Sequence, residues 1–415
     1  MTLKKGNKLL TELLNLEGIK VISHSTYLGI GIIFQVECIN KESLCPRCET
    51  KSYRLHQNHR YIVKDLPISG QPVLLEINRR QFKCEKCQRP FSEELDFVIK
   101  RRTYTKRLAK SIIQEVLEND IHSVAKKGHV TTEEIERMLK DASSELSPAK
   151  LSQLKRLGID EIALIKGQKN YCAVLVDIAQ SKLIAILTGR TQEQIREVLT
   201  AWGTAVLEQI EEVSIDLWQG YKNLVTELMP NAQVVADRFH VMAQVNKELD
   251  TQRRQEKRHV EDLIKKAELL SEKAKYQQYL HDLKKSKYVL LKNEQDLTEK
   301  QNQQLVQVKE VSPSLKIMHE LKEKLRTIFE QTNEWLSALF QLGVWLSRAK
   351  KYFPNSQQTI IRWLTEIIAY FDRRTTNGVV EGINNKIKLI KRSAYGFRNF
   401  ENFRVRCLLS WHSSY

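Results

Sequence analysis

Three acidic residues far apart in the sequence suggest phosphoryl chemistry. Asp160 lies in GIDEI (158–162), Asp216 closes VSID (213–216), and Glu381 lies in NGVVEGINNKI (377–387). Cutting or joining a phosphodiester requires an activated water or 3′-hydroxyl and stabilisation of a five-coordinate phosphorus. Two Mg²⁺ ions about 3.5–4 Å apart do both, provided carboxylates converge on a rigid frame. Taken singly, each acid has an ordinary explanation: a strand-end aspartate is usually a turn former and a helical glutamate usually a solvated one. Only their order along a common framework gives them weight.

The framework is read from periodicity. Short apolar runs at 160–164, 173–178 and 183–187 predict three strands. Thr191 and Gln194 form a capping box opening a helix with Ile195, Val198, Leu199 and Trp202 on its apolar face, stopped near Gly203. A fourth strand at 213–215, a helix at 221–228 ended by Pro230, and a fifth strand at 233–236 follow. Three adjacent strands followed by alternating helices and strands is the order of a ribonuclease-H-like fold. In that fold strands one and four are neighbours, which brings Asp160 and Asp216 together. Asp237 also ends a strand, and it is the competing candidate for the second metal ligand. Glu381 would reach the site from a later helix. On that helix Val380, Ile383, Ile387 and Ile390 form the buried stripe, and Asn377, Glu381, Asn384 and Lys388 share another face.

A second constellation is Cys45-Pro-Arg-Cys48 and Cys84-Glu-Lys-Cys87, two CxxC knuckles separated by 35 residues. Two such knuckles supply the four thiolates of a tetrahedral structural Zn²⁺ site. Four unmetallated thiols or a redox CxxC are the weaker alternative. The gap between the knuckles predicts a small sheet around 73–82. Basic residues around the knuckles, Arg47, Arg79, Arg80, Lys83, Lys86 and Arg89, suit either phosphate contact or a solvated face.

At 415 residues the chain is long enough for several domains, and its texture divides it. Residues 1–97 hold five of the seven cysteines and predict a zinc-ribbon-like domain. Residues 98–148 predict a helix-turn-helix, with Ile121, Val124 and Ala125 on the first helix, a turn at 127–129, and Thr131/Thr132 capping the second. A helical hairpin used only for packing has the same pattern. Residues 150–415 predict the α/β catalytic domain, interrupted by a Lys/Glu/Gln-rich all-α insertion at 246–355 whose default reading is a solvated bundle. Within it and after it, Trp335, Trp345 and Trp363 suit core packing better than base stacking.

The formal net charge of +17 favours a polyanionic partner. Between positions 386 and 406 there are seven Lys/Arg and one acid. Lys388, Lys391, Arg392 and Arg398 are the candidate phosphate contacts, interleaved with Tyr395, Phe397 and Phe400. No apolar run is long enough for a membrane span and no cleavable leader is evident, so a cytosolic protein with reduced thiols is expected.

The segments GIDEIALIKG (158–167), VSIDLWQGY (213–221), VVADRFHVM (234–242) and TTNGVVEGINNKIKLIKRSAYGFRNFENFRVRCLL (375–409) resemble transposases of the ISL-three family of bacterial insertion sequences. The double CxxC and the helical segment after it resemble that family as well, so the likeness covers almost the whole chain. It implies a three-carboxylate (DDE) strand-transfer enzyme. Asp160, Asp216 and Glu381 would be its metal ligands, with a D-x-x-H element placing Asp237 and His240 in support. It also implies element terminal inverted repeats and target DNA as partners, a homodimer or larger assembly on DNA, and a bacterial, nucleoid-associated location. The alternatives are a zinc-containing DNA-binding regulator that has lost catalysis, and a nuclease that does not transpose.

Overall fold

A computed structural model describes residues 2–145, 151–165, 170–375, 378–397 and 399–412. The chain forms two compact units, Met1–Ser147 together with Lys386–Tyr415, and Pro148–Asn385.

The first unit opens with α1 (Thr2–Leu14), which packs on β1 (Ile19–Tyr27). The chain continues through β2 (Gly31–Cys38), the small hairpin β3 (Ser43–Leu44) and β4 (Lys51–Ser52), β5 (Leu55–Ile68), β6 (Gln71–Lys83) and β7 (Pro90–Ser92). The order is β1-β2-β6-β5, with β7 added to β6. Strand β6 shows why a sheet forms: Val73, Leu75 and Ile77 are fully buried while the residues between them are not, the period of two that a one-sided core demands. The sheet predicted between the knuckles is therefore present, and it is larger than that segment alone.

Three helices follow. They are α2 (Lys106–Glu118), capped by Thr105; α3 (Ile121–Gly128), capped by Asp120; and α4 (Thr132–Glu145). His129 ends α3 in the left-handed conformation (φ 54°). Thr131 and Glu134 then cap α4 reciprocally, the Thr131 hydroxyl accepting from the Glu134 amide and the Glu134 carboxylate from the Thr131 amide. The threonine cap falls where the sequence puts it, whereas the expected turn at 127–129 starts later: Lys127 and Gly128 still belong to α3 and only His129 leaves the helix.

The second unit is built on one five-stranded sheet in the order β10-β9-β8-β11-β12. Strands β8 (Arg156–Ile165), β9 (Asn170–Asp177) and β10 (Lys182–Ile186) are an antiparallel meander. After α5 (Gln192–Ala201) and α6 (Thr204–Glu208), β11 (Glu212–Ile215) returns parallel to β8, and α7 (Gln219–Leu228) leads to β12 (Gln233–Ala236), parallel to β11. All five predicted strands are present, and the Thr191/Gln194 capping box forms. Gly203, expected only to stop α5, also opens α6 through its positive φ of 84°. Periodicity does not announce that five-residue helix.

The remainder is helical: α8 (Arg238–Lys266), α9 (Leu270–Lys284), α10 (Lys287–Leu291), α11 (Glu299–Val311), α12 (Pro313–Gln331), α13 (Trp335–Ala349), α14 (Pro354–Arg362) and α15 (Leu364–Arg373). The insertion is all-α as expected, but its first helix starts at Arg238, inside the segment assigned to the sheet. Nor is it merely a solvated bundle. Leu290, Val308, Leu315, Leu325, Ile328 and Leu342 are buried in the same hydrophobic core as Leu157, Ile159, Leu175 and Ile215 of the sheet. Each such side chain contributes about 1.5–3 kcal/mol, so insertion and sheet stabilise one another. Trp345 is fully buried and donates to the Leu321 carbonyl at 2.7 Å, and Trp363 is buried too, while Trp335 remains half exposed.

Helix α16 (Gly378–Ser393) carries the predicted stripe, with Val380, Ile383, Ile387 and Ile390 all buried. The last helix, α17 (Phe400–His412), differs from expectation. It was grouped with the catalytic domain, yet Val405 and Leu409 pack into the core of α2 and α4, and buried Arg406 donates to the carbonyls of Val116 and Asn119 at the end of α2. Burial lowers the Arg406 pKa to about 10.

Candidate active site

Strand register places the acids. Ile215 of β11 pairs with Ile159 of β8 on one side and with Ala236 of β12 on the other. The residues that follow these partners are Asp216, Asp160 and Asp237. Three aspartates therefore stand side by side at one level of three parallel strands, Asp216 and Asp237 just past the ends of β11 and β12 and Asp160 midway along the longer β8. This is why the sequence left two candidates for the second ligand.

The side chains separate them. The Asp237 carboxylate is 5% exposed and caps α8, accepting from the Phe239 amide at 3.1 Å. Asp216 and Asp160 are half-buried, and together with His240 they bring one ligand atom each within 4.8 Å of one another. His240 Nε2 lies 2.7 Å from Asp216 Oδ1 and 3.8 Å from Asp237 Oδ2. Burial and the Asp216 charge push the Asp160 carboxyl up to about 6. Asp237 is raised chiefly by burial. Burial works against a proton on His240, but the surrounding carboxylates outweigh it and raise its pKa. Two carboxylates held this close repel one another, and a cation between them would relieve that repulsion.

Glu381 stands in the first turn of α16 and is exposed. It is not in the cluster formed by Asp160, Asp216 and His240 among the described residues. Its helix does reach the site. A Cβ at Gly158 would come within 2.6 Å of Val380 Cγ2, so α16 lies against β8 where only glycine fits. One turn on, Asn384 Nδ2 donates to Asp160 Oδ2 at 2.6 Å, and buried Asn384 Oδ1 receives no hydrogen bond. An orphaned oxygen beside Asp160 suits a cation.

The sequence did not single out the next ring of residues. Glu161 pairs with Arg190 and accepts from the Tyr221 hydroxyl at 3.0 Å. Arg190 lies over the Tyr171 ring, 4.7 Å from its centroid. A cleft of about 550 Å³ opens on Asp216 and His240, bordered by Glu161, Arg190, Trp218 and Gln244. The only signal for these residues was their nearness in sequence to the acids and to the Thr191 cap.

In the first unit, the two knuckles have matching local geometry. Glu49 and Gln88, each directly after a second cysteine, both adopt φ 55°. The Sγ atoms of Cys45 and Cys87 are 3.7 Å apart and those of Cys48 and Cys84 3.4 Å. Thiolates about 2.3 Å from a tetrahedral zinc stand roughly 3.8 Å from one another, so the four sulfurs fit zinc. The Thr50 hydroxyl and amide hold the Cys48 thiol down at about 6. Around them, Arg79 and Arg80 bond Glu93, the first through its carbonyl and the second through its carboxylate. Cys38, Cys172 and Cys407 stand apart from this cluster.

Of the basic tail, Lys388 and Arg392 are exposed and Lys391 is half-buried; Asn377 and Arg398 lie outside the described residues. Phe397 and Phe400 pack on Phe403, whereas Tyr395 is 89% exposed. Among the described residues no helix is long and apolar enough to cross a membrane.

Comparison with known proteins adds to this geometry. A transposase family, DDE of the ISL3 (ISL-three) group, matches residues 157–407. The zinc finger of the transposases IS204, IS1001, IS1096 and IS1165 matches residues 41–87, a span that contains all four clustered cysteines. The transposase of insertion sequence element IS1001 from Bordetella parapertussis is 28% identical over 374 residues, 88% of each chain. That of IS1557 from Mycobacterium tuberculosis is 30% identical over 268 residues, 62% of this chain and 60% of its own.

Proposed function

We propose, since this chain belongs to the ISL3 family of DDE transposases, that it cuts DNA at the terminal inverted repeats of its own insertion sequence and joins the ends to target DNA. The juxtaposition of Asp160 and Asp216 on adjacent parallel strands, with His240 beside them, carries the reading. The sheet order β10-β9-β8-β11-β12 supports a ribonuclease-H-like reading of this domain. An inactive DNA-binding regulator is disfavoured because the family match spans the region that holds all three acids and Asp160 and Asp216 stand together.

Asp160 and Asp216 would hold Mg²⁺, two ions in all, with Glu381 as the third carboxylate. Bound there, the cations would activate the attacking water or 3′-hydroxyl and offset charge at phosphorus. The chain's own residues prepare the site. Asn384 fixes Asp160, and His240 Nε2 holds Asp216 in place from the other side. Asp237 orients His240 by capping the helix that carries it.

The helices α3 and α4 form the helix-turn-helix, with the zinc domain beside them in sequence as a further DNA-binding element. Glu133, Glu134 and Glu136 on α4 would repel phosphate, which leaves His129, Thr131 and Arg137 for base or backbone contact. Lys388, Lys391, Arg392 and Arg398 contact phosphates. The active form is a homodimer or larger on paired ends, working on the nucleoid in the bacterial cytoplasm.

Labelled oligonucleotides carrying the repeats that flank the gene test this. With Mg²⁺ the protein should cut at the element end and join the product to target DNA, and Glu381→Gln should lose at least about a hundredfold. Cutting without joining would indicate a nuclease, and binding alone a regulator.

A further inference from the structure

Trp218 is the aromatic side chain whose setting the chemistry above leaves unexplained. It stands two residues beyond Asp216, where β11 turns into α7, and its amide donates to the Asp216 carbonyl at 2.7 Å. The indole folds back on the first turn of α7. A Cβ at Gly220 would come within 2.6 Å of its ring, so glycine there makes room for it. Its neighbour Tyr221 meets it edge-on, with centroids 4.5 Å apart and planes at 88°. Tyr221 is itself fully buried and tied to Glu161 through its hydroxyl.

The indole is therefore held in one orientation by its surroundings. Even so it is 40% exposed, unlike Trp345 and Trp363 in the core, and it borders the cleft that opens on Asp216 and His240. A cleft of about 550 Å³ can enclose a ligand the size of one nucleotide. A rigid, half-exposed indole beside a phosphoryl-transfer centre has the properties of a stacking platform, which takes any base because every base offers a π-face.

We propose that Trp218 stacks on an unpaired nucleobase next to the scissile phosphate, fixing the DNA end relative to Asp216. The proposal rests on the transposase reading and names the residue that grips the frayed end. A base inside the duplex cannot present its face to a side chain, so stacking requires an end whose terminal bases are open.

The test measures binding of the full chain, without added Mg²⁺, to two probes. One is a duplex of the terminal repeat whose last three nucleotides are unpaired; the other has those three nucleotides abasic. Removing the bases should weaken wild type by roughly tenfold. It should leave Trp218→Ala unchanged, because the platform is already gone, while Trp218→Phe keeps most of the base dependence. Gly220→Ala, whose new methyl would meet both the indole and the Gln192 amide, should lose that dependence although no indole atom is removed, whereas Gln192→Ala should keep it. Melting curves identify any variant that has not folded, and the phenylalanine variant then decides. If base removal weakens wild type and Trp218→Ala equally, or weakens neither, the proposal is wrong. Cleavage of the paired duplex by wild type with Mg²⁺ is measured alongside; its absence would instead count against the transposase reading.

Discussion

At the residue scale, the centre is built from carboxylates that oppose one another. Asp160 is held in its charged form near Asp216 with little water to screen the pair, which lifts its carboxyl to about 6. A carboxyl whose folded pKa lies above its unfolded value destabilises the fold wherever it is ionised, here at neutral pH and above. Asp160→Asn removes that charge and leaves an oxygen to accept from Asn384 Nδ2. The metal-free variant should therefore be more stable than wild type at pH 7.5, by about 1–3 kcal/mol, while losing cleavage. Thermal melting of both proteins without divalent metal checks this. A variant that melts at or below wild type would mean the repulsion is already relieved.

At the scale of elements, two packing arrangements position the chemistry. The first is α16 against β8. Gly158→Ala should cost about 1–3 kcal/mol by driving its methyl into Val380, and adding Val380→Ala should recover most of the loss. Additive losses in denaturant titrations would argue against that contact. The second is the pair of CxxC knuckles. We expect one zinc per chain, its loss in Cys84→Ser, and unfolding of β3, β4 and their surroundings on chelation. Full retention of far-ultraviolet dichroism after zinc removal would refute a structural role. What was legible in the sequence follows from range. Strand bounds, the Thr191 box and the α16 stripe are local periodicities, readable from neighbours a few residues away. The Asn384–Asp160 bond spans 224 positions and the Arg406–Val116 bond 290, and no local pattern encodes either. The insertion looked solvated because its many charges mask a thinner apolar stripe on α12, which the core absorbs.

At the scale of the molecule, the row of three aspartates is a consequence of topology. Two parallel crossovers return β11 and β12 in register with β8, so the two shorter strands each lead into an acid level with Asp160 of β8. The helix after β12 then takes Asp237 as its cap, which leaves Asp160 and Asp216 as the proposed metal ligands. The long insertion, sharing the core of the sheet, braces that end of the unit from α8 onward. The most direct test of this division of labour is metal-dependent cleavage of a terminal-repeat substrate by Asp216→Ala and Asp237→Ala proteins. Asp216→Ala should cut no faster than background at any Mg²⁺ concentration, whereas Asp237→Ala should keep measurable cleavage that rises with added metal. Near-normal cutting by Asp216→Ala, with none by Asp237→Ala, would contradict the account.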